Sequence, residues 1–194
     1  MRNNWIIPSL SALSFVLAAC SKEPAEEVPT FNALMAGKID PIADEVWAIG
    51  NAAIGERSEM NPAKMTEQNW NDLAASATRL RDAAKDLGSL DPVVVVKPGQ
   101  KIADEDVPYG DSAESVQHNI DADTPGMRAK AKALEEHMDQ LILAAQSHNA
   151  AQAGDLINEL DGVCESCHLD FWFPSQKKAI EAYQSAGIVD QKQQ

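Results

Sequence analysis

Five consecutive residues near the C-terminus carry the densest chemistry in the chain: Cys164-Glu165-Ser166-Cys167-His168. In an exported protein, Cys-x-x-Cys-His reads as an attachment site for one covalent haem c. The spacing has a physical cause. Thiols three residues apart on a helical turn reach the two vinyl groups of one porphyrin, and the next residue turns its imidazole to the iron as proximal ligand. Three other uses of such residues compete. A thioredoxin-type redox pair needs a βαβ setting and a nucleophilic Cys at a helix N-terminus, whereas this motif closes a helical stripe with no strand before it. A zinc site needs a fourth ligand, and the chain has no second Cys pair. A disulfide closing so small a loop would restrain little of the unfolded chain.

Export is read at the other end of the sequence. Met1-Arg2-Asn3-Asn4 is a short basic start, and Trp5 to Ala19 carries no charge. That run is shorter than the ~20 residues a membrane span needs and matches a signal-peptide apolar region of about 7–15 residues. It ends Leu17-Ala18-Ala19-Cys20, which resembles the lipobox of bacterial lipoproteins. The resemblance implies a leader over residues 1–19, lipid on Cys20 and a tether over 20–30. With Ser21 following, it also implies an outer-membrane anchor facing the periplasm of a Gram-negative bacterium. Only three cysteines exist. Assigning Cys20 to lipid and Cys164 and Cys167 to haem leaves no free thiol.

The helices that must position the motif show in the spacing of apolar residues. Trp70, Leu73, Ala77, Leu80, Ala84 and Leu87 follow one another at steps of three and four, as do Met127, Ala131, Leu134, Met138, Leu141, Ala145 and His148. Thr66 caps the first of these helices and Gly88 ends it; Asp123 or Thr124 caps the second, with Pro125 in its first turn. An earlier, less regular helix uses Phe31, Leu34, Met35, Ile42, Val46, Ile49 and Ala53, with Pro41 kinking or breaking it near residues 38–40. Leu156, Leu160, Val163 and Cys167 mark a fourth helix, interrupted at Pro174, after which Ser175 caps a last segment that Gly187 stops. Short turns join helices 1–2 and 3–4, while residues 89–123 form a long connection. Its run Val93-Val94-Val95-Val96 is expected to lie extended on the helices, having no partner strand. The expected fold is all-α: an antiparallel four-helix bundle with a long connection between helices 2 and 3. The haem domain covers 31–187, followed by a tail over 188–194.

A Cys-x-x-Cys-His motif in the last helix of such a bundle resembles the cytochrome c prime family. Further resemblance lies in Leu34-Met35, in Asp40-Pro41 followed by Ala43-Asp44 and Trp47, in Trp70, and in Phe171-Trp172-Phe173-Pro174 after the motif. These last features are similar to a lipoprotein branch of the family. The resemblance implies one of two states. In low-spin members a Met of the first helix is the sixth iron ligand and the protein passes electrons; Met35 is the candidate here, with a core-filling role as the alternative. In high-spin members an apolar residue blocks the distal side, and NO or CO binds; Phe31, one turn earlier, is then the distal candidate. Many members carry Arg four residues after the ligand His. Here Trp172 stands there, which is expected to reduce proximal solvent access. Relatives often dimerise through their first two helices, so a homodimer is among the expected partners.

Charge narrows the partners. The 194 residues carry 16 Lys+Arg against 30 Asp+Glu, a net of −14. Such a surface repels nucleic acid and anionic lipid head groups and steers the protein toward basic redox partners. No Gly-rich phosphate loop, nucleophile triad or catalytic carboxylate pair is apparent, so no enzymatic activity is expected. A non-haem structural lipoprotein bundle is the remaining alternative. Of the other histidines, His148 continues an inward stripe, as a helix-end residue or close to the haem. His137 falls off the stripe and reads as surface, and His118 lies in the long connection.

Overall fold

The computed structural model describes residues 28–56, 59–103, 105–107 and 110–186. Cys20, the leader, most of the tether, Gly187 and the tail lie outside the described residues. The protein is all-helical, and among the described residues the only β feature is a lone bridge between Ile54 and Met60. No described helix is long and apolar enough to cross a membrane.

The first helical run has three parts. α1, Phe31–Leu34, passes into a π-helical turn, Met35–Ile39, and then into α2, Asp40–Ala52. Thr30 caps the run by accepting the Ala33 N–H at 3.2 Å. The disturbance falls just ahead of the expected kink, and its cause is Pro41. A proline has no N–H to give the carbonyl four residues back. The helix widens instead, and the Asp40 N–H bonds to the Met35 carbonyl five residues back.

α3, Glu67–Gly88, starts on a capping box. Thr66 Oγ1 accepts the Asn69 N–H at 3.1 Å, and Asn69 Oδ1 accepts the Thr66 N–H at 2.9 Å. All six residues of its predicted stripe are buried. α5, Thr124–Gln146, is capped by Asp123, which accepts the Gly126 N–H at 2.9 Å. Its stripe is buried from Met127 to Ala145. α6, Ala150–Cys167, is capped by Asn149 after a short turn. α3 packs chiefly on α5, α5 on α6, and α2 on both α3 and α6. Leu73, Leu80, Met127, Met138, Leu141 and Leu160 are fully enclosed where these faces meet.

Several expectations are corrected. The link between α2 and α3 is longer than a short turn, and among its described residues it includes a 3-10 turn, Pro62–Lys64, with Asn61 N–H donating to Ala53 C=O at 2.8 Å. The long connection contains a helix, α4, Ala113–Ala122, capped by Ser112. Its buried face is only Val116 and Ile120, a signal too short to register as a stripe. Ser175 does not cap α7, Pro174–Ser185, because Pro174 already occupies the first turn and Phe173 the cap position. Ser175 faces Asp111 instead, at 3.3 Å. His137 is not surface: it is 8% exposed, and its Nε2 lies 2.7 Å from the Leu156 carbonyl of α6.

The valine run packs on the helices, but it does not stay extended. Val93 and Val95 are buried against the start of α1, and the chain bends at Val95 and Val96. Phe31 N–H donates to Val94 C=O at 2.8 Å and Asn32 N–H to Val95 C=O at 3.0 Å. From the other side, Gln117 of α4 grips the run, donating to Val93 C=O at 2.9 Å and accepting from Val95 N–H at 2.8 Å.

Candidate functional site

Cys164 and Cys167 sit in the last turn of α6, and His168 opens a second π-helical turn, His168–Trp172. The cause repeats that of the first. Pro174 cannot donate to the carbonyl four residues back, and the Phe173 N–H reaches the His168 carbonyl five residues back at 2.6 Å. Both wide turns therefore follow one pattern: Met35 opens a turn six residues before Pro41, and His168 opens one six residues before Pro174. This signal stands in the sequence, and periodicity arguments built on α-helical spacing pass over it. Wide turns of this kind are frequent at functional sites.

The two turns face one cavity of about 460 Å³. Met35, Ile39 and Ala43 line it from the first run, Ala131, Leu134 and Lys130 from α5, and Cys164, Cys167 and His168 from α6 and the second π turn. Phe173 and Gln176 close it from the start of α7. The size falls within the ~300–1,000 Å³ of small-molecule and cofactor sites. Of the two distal candidates, Met35 is in the lining and Phe31 is not. Phe31 is buried elsewhere, stacked on Trp172 with ring centroids 5.9 Å apart. Trp172 is thus no cover for the cavity; it packs against the base of α1.

Electrostatics at the wall follow from burial. Desolvation pushes the Cys164 thiol up to about 12, helped by Asp161 and Asp40, and the Cys167 thiol up to about 11 against the pull of Lys130. Neither is a thiolate at neutral pH, and the two are not bonded to each other. Burial lowers the pKa of His168, opposed by Asp40 and Asp161, so its imidazole is neutral and free to ligate. Asp40 is an exposed residue overall, but its carboxyl meets the cavity wall. Desolvation raises its pKa, His168 lowers it and Asp44 raises it again. Below the cavity, Asp170 pairs with Lys130 at 2.8 Å and Lys177 at 2.7 Å. Those hydrogen bonds hold its carboxyl below the ordinary range.

The second turn is also held from outside the cavity. Asn119 of α4 donates to the Phe171 carbonyl at 3.1 Å. His168 and Phe173 meet edge to face at 6.2 Å. His148 is remote from all of this. It lies beyond α5 with φ of 53°, stacked on Trp70 at 5.2 Å. Trp70 stands about 25 Å along α3 from Leu87, which reaches the cavity. His118 is exposed on α4.

These residues fit a haem held through two thioethers. The thiols are unpaired, adjacent on one turn and open to a cavity whose lining is mostly apolar, with Asp40, Asp44, Lys130 and Asp161 among it, and a neutral imidazole follows them. No three His, Cys, Asp or Glu side chains among the described residues gather around a point as a bare-ion site would require. Comparisons with protein-family models, with curated proteins and with solved structures gave no match to this chain.

Proposed function

We propose that this chain is a c-type cytochrome tethered to the periplasmic face of a membrane, carrying one covalent haem and passing electrons. The observation that supports it best is convergence. Both cysteines, His168 and Met35, drawn from opposite ends of the chain, line a single cavity. The packing supports an antiparallel four-helix bundle built from residues 31–52, α3, α5 and α6, with α4 and α7 as additions.

When bound, haem supplies a one-electron iron couple. The protein's residues supply the rest. Cys164 and Cys167 would hold the macrocycle by thioether bonds. His168 would supply a neutral nitrogen to the iron. Met35 would supply a thioether, which raises the reduction potential of such a couple. Ile39, Ala43, Ala131 and Leu134 would give the bound group an apolar surround. The half-buried thiols are protonated at neutral pH, which argues against dithiol–disulfide exchange, since that needs a thiolate. Net charge of −14 favours basic redox partners, and acylated Cys20 would hold the chain where such partners pass.

The test is an absorption spectrum of the full chain, expressed with its leader in a host that matures c-type cytochromes. The expected result is a Soret band that survives acid–acetone extraction, with a six-coordinate low-spin form. Absence of bound haem sinks the proposal. Met35→Ala should convert the spectrum to high spin; an unchanged low-spin spectrum rejects Met35 as the ligand. His168→Ala should abolish the proximal bond.

A further inference from the structure

The cavity wall has two wide turns that matter to any iron ligand: the turn that starts at Met35 and the turn that starts at His168. One contact outside the cavity joins them. Phe31 lies four residues before Met35, and Trp172 lies four residues after His168, so each ring sits one helical turn from a candidate ligand. Their centroids are 5.9 Å apart with planes 24° from parallel. Neither ring lines the cavity.

We propose that the Phe31–Trp172 stack is a latch that sets the spacing of these two turns, and so decides whether Met35 holds the sixth position or leaves it open to a diatomic gas. The inference rests on the haem reading above and adds regulation to it. Both rings act through the ligands and are positioning residues.

The crossover backs the latch. Phe31 N–H is held by the Val94 carbonyl, and Gln117 of α4 grips the valine run on both sides. The same helix holds the Phe171 carbonyl, next to Trp172, through Asn119. Val93–Val95 and α4, tied together by Gln117, therefore form a strap from the base of α1 to the turn that starts at His168. Such a strap accounts for a connection far longer than the ~2–8 residues that usually join helices in bundles.

With the latch closed, Met35 stays on the iron and a gas must wait for rare opening. Loss of an aromatic stack should raise the open population by about twofold to tenfold. The experiment is stopped-flow CO binding to the ferrous, haem-loaded full chain. Trp172→Leu should bind CO about twofold to tenfold faster and show a larger high-spin fraction. Trp172→Phe, which keeps a ring in place, should return both readouts toward the parent. Gln117→Ala touches neither ring and should shift CO binding in the same direction by less. Parent-like CO rates in a folded Trp172→Leu protein overturn the latch. If that variant does not fold, an unchanged rate in Gln117→Ala overturns it. A parent protein that carries haem but is already five-coordinate also overturns the latch and leaves the haem reading standing. A parent without haem removes both.

Discussion

Asp170 is the junction at which the π turn His168–Trp172 is fixed to its neighbours, and its removal gives a quantitative test. Its carboxylate meets Lys130 of α5 at 2.8 Å and Lys177 of α7 at 2.7 Å. The Asp170 and Lys130 side chains are 29% and 31% exposed, so solvent screens the pair only in part. Such a pair contributes about 0.5–1 kcal/mol. Lys177 stands in solvent and adds little. Asp170→Asn should therefore lower unfolding stability at pH 7 by about 1 kcal/mol at most, or about 2–4 °C in Tm for a chain of this size. The pH dependence carries the sharper test. The folded-state pKa of Asp170 is depressed below its ordinary 3.8. Its stabilisation is thus fully present above that ordinary value and is lost as pH falls through the folded value. Urea unfolding followed by circular dichroism, at steps from pH 7 to pH 3, should show the parent and the variant converging below pH 4. A gap that stays constant across this range refutes the ion-pair argument and assigns the effect to packing. Added salt should narrow the gap at pH 7.

Two glycines give opposite signs. A Cβ on Gly50 would stand 2.9 Å from Ile157 Cγ2, where α2 meets α6, so Gly50→Ala should cost about 1–3 kcal/mol by overpacking, a clash that Ile157→Ala removes. Gly162 of α6 has nothing within 4 Å of that position, and Gly162→Ala should stabilise by about 0.5–1 kcal/mol; equal signs in thermal melts would reject the close approach. His137→Leu removes the 2.7 Å contact to the Leu156 carbonyl and should cost about 1 kcal/mol in urea unfolding; no loss would return His137 to the surface. Deleting Gly37, where an added Cβ would meet nothing within 4 Å, should force Pro41 into α-helical register and cost about 3 kcal/mol in thermal melts. The same deletion should displace Met35 and turn the spectrum high-spin.

Much of this is legible in the sequence itself. The stripes of α3 and α5 show their buried faces because steps of three and four repeat without a break, and Thr66 and Asp123 cap where their side chains can reach back to free N–H groups. α4 was hidden because ten residues with two buried apolar positions do not make a periodic signal. His137 was misplaced because a polar ring beside an apolar stripe looks solvated. It is buried only because α6 presents a carbonyl to it, a long-range fact that no local pattern carries. The cysteine pair and His168 were legible from type and spacing alone. Their enclosure with Met35 in one cavity depends on how α2, α5 and α6 pack.

The first helix shows where the difficulty lay and why it matters. Taken at uniform α-helical spacing, Met35, Ile42 and Ile49 belong to the inward face, yet all three are only partly buried. The residues actually enclosed are Phe31, Leu34, Ile39, Ala43, Val46, Gly50 and Ala53. Their steps are regular except for one of five residues, from Leu34 to Ile39, which spans the start of the π turn. A straight α-helix rotates about 100° per residue, so without the wide turn either Phe31 and Leu34 or Ile39 and Ala43 would leave the core. The turn lets both halves stay buried and carries the surplus residue on the cavity side. Met35 begins that surplus, which is why it reaches the cavity while contributing little to the core. The same geometry at His168 follows the last turn of α6. Each candidate ligand is thus presented by a local departure from α-helical register that Pro41 or Pro174 makes inexpensive and that packing on both sides holds in place.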